Sequence, residues 1–391
     1  MNIPVPKKEI DSRLDMLRQR LEGAGLDGCL LVSAIDVFYF SGTRQNSILW
    51  VPRDGLPILL VRKSYRRAIL ESAIGDIRPF PPSRDLPAVF GEGAKTIGLT
   101  FDVLPVQHLN FYQGLLKGRE FRDIALINRE IRSVKSAWEI DQMRQCGSLL
   151  SEAFRTIPEY LRPGLRELDL AAEFEYRLRK AGIGGYLRIR GFNQEITGLA
   201  VSGASAAEAG CFDGPVTGKG YWTSAPYGPS EAVIPANAPV MVDYGGFYNG
   251  YIVDMTRIFC IGSLAPELEH AFRVSLAIQE LLREKLVPGA VCEDLYREAY
   301  GMASDAGFVD YLMGPPGDQA KFVGHGVGLE LDELPVLAPK FTALLAAGQT
   351  VAVEPKFIFP GKGAVGIENT FAVTDRGGEK LTPLPDDIVY L

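Results

Sequence analysis

Apolar and polar positions recur along this chain with two periods, one helical and one strand-like, and their succession outlines the fold. Between residues 8 and 24, Leu14, Leu17 and Leu21 return at helical spacing, with Gly23 and Gly25 near the end of the run. A buried strand follows at Cys29, Leu30, Leu31 and Val32, then an apolar run of Phe38, Tyr39 and Phe40 before Ser41 and Gly42. Two apolar stretches, 48–51 and 58–61, flank Asp54 and Gly55 and predict a hairpin. A helix over 64–73 and a short strand at Ile97, Gly98 and Leu99 complete an α/β pattern. The strand-like trio Ala125, Leu126 and Ile127 gives way to a charged stretch, so a boundary is expected within 125–135, between domains 1–131 and 132–391. The second domain opens on a long helical pattern with Met143, Cys146, Leu150, Ala153, Phe154 and Ile157 on one face.

The stretch 239–259 organises that second domain. Two β-branched and aromatic runs surround Asn249 and Gly250, a strong hairpin signal. A turn centred on that pair sets Asp243 opposite Thr256, with Asp254 on the diagonal. A turn shifted by one residue on each side sets Asp243 opposite Asp254. Both registers have the same parity, so the two carboxylates share one face. Their neighbours Val242, Tyr251, Ile252 and Val253 predict burial, and buried carboxylates without a partner are costly. A cation between them is the natural remedy.

The domain also repeats itself weakly. Arg162, Pro163 and Gly164 open a helical run that ends at Ala181 and Gly182; Val287, Pro288 and Gly289 open another that ends at Ala306 and Gly307. The first run leads to the aspartate hairpin. The second leads to a ribbon in which Glu354 and Glu368 are symmetric about Gly361 and can face each other. Two pseudo-equivalent halves, each offering a carboxylate pair, would build a site where they meet. Between them stands His325, in Gly324-His-Gly-Val-Gly-Leu329. That segment lacks the last glycine of a dinucleotide fingerprint, and 214–220 is one residue short of a phosphate loop and has no Ser/Thr after Lys219. One imidazole and four carboxylates form a hard, oxygen-rich set suited to two divalent ions of the manganese, cobalt, iron or zinc kind.

Composition narrows the class without naming it. At 391 residues, 47% hydrophobic and 23% charged, the chain suits a two-domain globular enzyme. A net charge of -7 speaks against a nucleic-acid partner. Five scattered cysteines with no Cys-x-x-Cys pair fit a reducing compartment and no zinc–thiolate site. With no apolar core behind the N-terminus and no run of the ~18 apolar residues that a membrane helix needs, a soluble cytoplasmic protein is expected. His108, alone in the first third, reads as a surface or core histidine.

The order Asp243, Asp254, His325, Glu354, Glu368 resembles the pita-bread metallopeptidases of family M24, which include methionine aminopeptidase, aminopeptidase P, prolidase and the metal-free creatinase. The matching segments are Val-Asp-Tyr-Gly-Gly, Val-Asp-Met-Thr-Arg, Gly-His-Gly-Val-Gly-Leu, Val-Glu-Pro and Ile-Glu-Asn-Thr. The segment Val134–Lys135–Ser136 to Glu139 is similar to the start of the family's catalytic domain. The resemblance implies an α+β architecture: a creatinase-like N-terminal α/β domain, then a pita-bread domain with an internal pseudo-two-fold repeat. It implies two divalent ions, bridged by Asp243 and Glu368, with Asp254 on one and His325 and Glu354 on the other. A bridging hydroxide would attack the scissile carbonyl, Glu354 would shuttle the proton, and His325 would belong to the same catalytic set. Relatives of this type commonly dimerise, so a homodimer is expected.

The sequence also departs from that pattern. Peptidase members usually carry a second histidine eight residues after the glycine that opens the Gly-His-Gly segment; here that position is Asp332. They usually carry another upstream of the first aspartate, yet 191–242 contains none, and His270 lies in a helical stretch. The arginine often found two residues before the last glutamate is Gly366. A single lost donor of this kind can be worth ~3–4 kcal/mol in a transition state. The replacement is sought in the loop 203–224, where Phe212, Asp213, Tyr221 and Trp222, together with Asp332, are the candidate substrate-binding residues. The expected activity is therefore cleavage of an N-terminal residue before proline, on a peptide or small amide. The alternatives are non-peptide chemistry on the same metal site (C–N hydrolysis, or elimination as in a dimethylsulfoniopropionate lyase of the family) and a non-catalytic binding module.

Overall fold

The computed structural model describes residues 4–184 and 186–391. Within it the chain forms two compact units, Met1–Arg132 and Ser133–Leu391.

In the first unit the helix Lys7–Gly23 buries Ile10, Leu14, Leu17 and Leu21, the leucine stripe read from the sequence. Six strands follow: β1 (Gly28–Leu31), β2 (Ser47–Pro52), β3 (Ile58–Val61), β4 (Asp76–Pro79), β5 (Thr96–Leu99) and β6 (Glu120–Asp123). They form one sheet in the order β4-β3-β2-β1-β5-β6. Leu30, Ile48, Trp50, Leu60, Ile97 and Leu99 pack into its core. The aromatic run Phe38–Phe40 lies in the helix Ala34–Ser41, which ends at Gly42 in the left-handed region that a glycine adopts without strain. Ala125, Leu126 and Ile127 are not a strand; they open the helix Ala125–Ser133. The next residues decide it, because Ile124, Ala125, Asn128, Ile131 and Arg132 are buried at three- and four-residue spacing. The Asp123 carboxylate also accepts the Ala125 N–H at 2.9 Å and so starts the turn.

The second unit begins with the helix Ala137–Arg155, fixed by a capping box between Ser136 and Glu139. Its strands are β7 (Leu199–Ser202), β8 (Pro239–Tyr248), β9 (Tyr251–Cys260), β10 (Gly324–Gly326), β11 (Glu333–Leu337), β12 (Thr350–Val353), β13 (Lys356–Phe359), β14 (Gly363–Gly366), β15 (Glu368–Thr374), β16 (Gly377–Lys380) and β17 (Val389–Tyr390). Seven run across the main sheet in the order β11-β10-β12-β15-β9-β8-β7, with β16 beside β15 and β17 beside β9; β13 and β14 form a separate ribbon.

The internal repeat is explicit. The helices Glu167–Lys180 and Cys292–Asp305 have 14 residues each and start 125 positions apart. Each is preceded by an isolated bridge, Arg166 to Val233 and Val291 to Leu344. Antiparallel pairing of β9 with β15 joins the first half's β7, β8 and β9 to the second half's β10, β12 and β15 in one continuous sheet, and the junction of the halves falls between those two strands. Of the two hairpin registers the structure has the one centred on Asn249–Gly250: Asp243 faces Thr256 and Gly245 faces Asp254. Both turn residues have positive φ, 48° and 93°, as a two-residue hairpin turn requires. No helix among the described residues is long and apolar enough to cross a membrane.

Candidate metal centre and substrate cavity

Four carboxylates and one imidazole meet at that junction. Asp243 and Asp254 come from the paired strands β8 and β9, on one face because positions 243 and 245 share a face and 245 is opposite 254. Glu368 opens β15, whose first residue pairs with Thr256 of β9. Thr256 Oγ1 donates to Glu368 Oε2 at 2.9 Å, tying the second half's acid to the first half's strand. Glu354 follows β12 in the register that pairs Val353 with Asn369, which brings it beside Glu368. Behind them Arg257, buried, donates to the carbonyls of Thr256, Glu368, Leu384 and Pro385 and to Asn369 Oδ1.

His325 sits in β10 with its ring fixed from one side. Its Nδ1 lies 2.9 Å from the Leu331 carbonyl and 3.2 Å from that of Gly326, and only a protonated Nδ1 can serve those acceptors. In the neutral ring Nε2 then carries the lone pair, 3.4 Å from Glu354 Oε1 and 3.9 Å from Glu368 Oε1. The loop carrying Leu331 is held by Glu333, whose Oε1 accepts the Leu329 and Glu330 N–H groups. Glu333 Oε2 in turn accepts from Lys135 Nζ at 2.9 Å, both side chains being buried.

A residue that sequence reasoning passed over occupies the middle of the acids. Lys356 enters from β13, and its Nζ lies 2.8 Å from each of Asp243 Oδ2, Glu354 Oε2 and Glu368 Oε2. An ammonium has three hydrogens, and all three are used. The geometry also accounts for Gly366. It pairs with Lys356 across the ribbon, and a Cβ there would fall 2.6 Å from Lys356 Cγ. A side chain at position 366 and this path for the lysine exclude each other.

Burial and mutual repulsion dominate the electrostatics. Burial pushes the Asp254 carboxyl well above the usual range, and the charges of Glu368 and Asp243 add to this. Asp243 and Glu368 are raised for the same first reason, with the Lys356 charge pulling each back down. Burial works to depress Lys356, but Asp243, Glu354 and Glu368 outweigh it and hold the ammonium well above its ordinary value.

The fit of a metal ion can be tested on these atoms. Asp254, His325 and Glu368 each present a ligand atom, all within 4.8 Å of one another. Glu368 Oε1 is buried without a hydrogen-bond partner, an arrangement that stays costly unless something positive approaches it. The trio could therefore hold a divalent ion, with Lys356 beside it on the remaining acids.

The centre forms the floor of a cavity of about 250 Å³. Leu187, Ile189, Ile196, Leu199, Phe322 and Val336 supply apolar wall, and Gln194, Asp213 and Asp332 supply polar points. Asp332 is oriented by the Arg190 N–H, 2.8 Å from its Oδ1. Phe212 also lines the cavity. Tyr221 and Trp222 do not; they pack edge-to-face on each other, 4.4 Å between centroids, at 44% and 64% exposure. His108 lies in the first unit's helix Val106–Leu115, and His270 packs on Phe308 in the helix Pro266–Lys285, so neither belongs to the centre.

An N-terminal creatinase-type α/β unit followed by a pita-bread unit, with acids and one histidine at the junction of its halves, defines the class. The chain belongs to metallopeptidase family M24, a family of hydrolytic enzymes: the family profile matches residues 141–375, and that of the creatinase/prolidase N-terminal domain matches 13–134. It is similar to the uncharacterized peptidase YqhT of Bacillus subtilis (strain 168), 24% identical over 97% of this chain and 100% of that protein. It is likewise similar to the Xaa-Pro dipeptidase of Pyrococcus furiosus, 24% identical over 95% of this chain and 97% of that one. The crystal structure of the prolidase from Pyrococcus horikoshii OT3 superposes with a TM-score of 0.81 at 22% identity, covering 97% of this chain and 100% of the other.

Proposed function

We propose that this protein is a metal-dependent hydrolase that removes the N-terminal residue before proline from short peptides, or opens a similarly small amide. The carrying observation is the cavity itself: an apolar wall for a proline-sized ring, ending on a buried acid–imidazole centre. Its volume of about 250 Å³ lies just under the ~300–1,000 Å³ of sites for drug-sized ligands, so a substrate of dipeptide scale suits it. The similarity to Xaa-Pro dipeptidases supports the same bond type.

Asp254, His325 and Glu368 would hold a divalent ion, manganese, cobalt, zinc or iron. Such an ion polarises a carbonyl and lowers the pKa of water from ~15.7 towards ~7. The chain's own groups do the rest. Glu354 spends Oε2 on Lys356 and keeps Oε1 towards the centre, where it can accept a proton from the attacking water and return it to the leaving amine. His325 is held by the Leu331 carbonyl with its Nε2 turned towards the centre. Lys356 keeps the acids from repelling one another and holds Glu354 in place. Asp213 and Asp332 put negative charge on the wall, which suits the α-ammonium of an N-terminal residue.

One observation favours an aminopeptidase or small-amide substrate over a free dipeptide. Among the described residues that line the cavity, Lys356 is the only lysine or arginine, and its three protons are already engaged. Among these lining residues a dipeptide's free carboxylate meets no unengaged lysine or arginine. Protein incubated with each of the four ions and assayed against Xaa-Pro dipeptides, longer Xaa-Pro peptides and Xaa-prolinamides tests this. Cleavage before proline, faster for the longer peptides and the amides, is expected; no turnover with any ion by folded protein would overturn it. A homodimer belongs to the same reading, and sedimentation as a monomer at micromolar concentration would remove it.

A further inference from the structure

We infer that the Lys356 ammonium stands in for one of the two cations of this centre, so that the protein binds a single divalent ion per chain. The inference deepens the metal-dependent reading above and rests on it. It stands on position: Nζ is 2.8 Å from one oxygen of Asp243, of Glu354 and of Glu368, acids contributed by three different strands or their ends. A second ion would have to share these three acids with the lysine. The lysine side chain is 2% exposed and spends every proton on the acids, so it is part of the centre and not a surface group resting on it.

The surroundings are shaped for this residue. Lys356 begins β13, followed by the buried Phe357, Ile358 and Phe359, which fix the strand and hold the lysine side chain at the floor of the cavity. Its cross-strand partner is Gly366, and a Cβ at 366 would fall 2.6 Å from Lys356 Cγ and 2.7 Å from the backbone at Lys356 and Pro355. An unpaired buried lysine would be prohibitive; three acids meet it here. What remains open is the trio Asp254, His325 and Glu368, with the unpartnered Glu368 Oε1 facing His325. Formally, four carboxylates against one ammonium and one divalent ion leave a single excess negative charge, whereas two divalent ions beside the lysine would leave an excess positive one.

Equilibrium dialysis of the full-length protein against Mn²⁺, with metal counted by elemental analysis and read by electron paramagnetic resonance, tests this without substrate. The wild type is expected to hold one Mn²⁺ per chain with the signal of an isolated ion, and Lys356→Ala to hold two with an exchange-coupled signal. No bound ion, two ions or a coupled signal in the wild type would overturn the inference, as would one ion in Lys356→Ala with native circular dichroism. Should that variant fail to fold, the wild-type count and spectrum still decide. The peptidase reading fails separately: one bound ion without turnover sinks that reading alone, while cleavage with two bound ions sinks this one.

Discussion

Replacing Lys135 by methionine should weaken the second unit and loosen its histidine at once. The wild-type pair is short and dry: 2.9 Å between Lys135 Nζ and Glu333 Oε2, with side chains 1% and 6% exposed. Methionine fills much of the same volume but takes the ammonium away from the buried Glu333 carboxylate. Removing one partner of a buried pair typically costs ~3–5 kcal/mol, far above the ~0–1 kcal/mol of a surface pair. Glu333 is also the acceptor for the Leu329 and Glu330 N–H groups, and Leu331 between them and β11 carries the carbonyl that fixes His325. Native-state thiol labelling read by mass spectrometry can measure the effect, because Cys146, Cys260 and Cys292 are buried in the second unit and Cys29 in the first. Labelling of the first three should accelerate about a hundred- to several-thousand-fold, at ~1.4 kcal/mol per tenfold, with Cys29 as the reference. Adding Glu333→Gln should restore much of the loss, since a neutral amide needs no counter-ion. A change below about 1 kcal/mol in Lys135→Met, or no recovery in the double variant, would refute the claim that this pair holds the loop.

Further outcomes follow from the same geometry. Gly366→Ala should destabilise the centre by ~1–3 kcal/mol, because the added methyl meets Lys356 and the Pro355 carbonyl within 2.7 Å; an unchanged denaturation midpoint would contradict the packing. Burial pushes the Cys146 thiol up to about 12 and Cys292 up to about 11. The folded state therefore retains protons that the unfolded chain releases near its ordinary ~8.5. Their contribution is fully present below that value and is lost as pH climbs through about 9 to 12, so a Cys146→Ala/Cys292→Ala variant should show a shallower fall of stability across that window. Phe212→Ala should raise KM for a cleaved substrate several-fold, and Trp222→Ala should leave it unchanged, because the cavity wall includes the first and not the second. Equal effects would place the wall elsewhere.

The hairpin around Asn249–Gly250, the 125-residue echo of the two helices and the α/β character of the first unit were legible in the residues alone. Turn chemistry and side-chain period are local, and they hold wherever one face is buried. Residues 125–127 were misleading because three apolar residues suit either period, and only the burial of Asn128, Ile131 and Arg132 selects the helix. The lysine was within reach of the same parity that pairs Glu354 with Glu368, for position 356 lies on the face of 354 and opposite 366. Its extended reach into the acids was not, since that depends on strands β8, β13 and β15 converging from distant parts of the chain. The loop 203–224 was legible only as a candidate wall. Which of its aromatics turns inward is set by packing, and tertiary structure alone sends Phe212 to the cavity and Tyr221 and Trp222 to the surface.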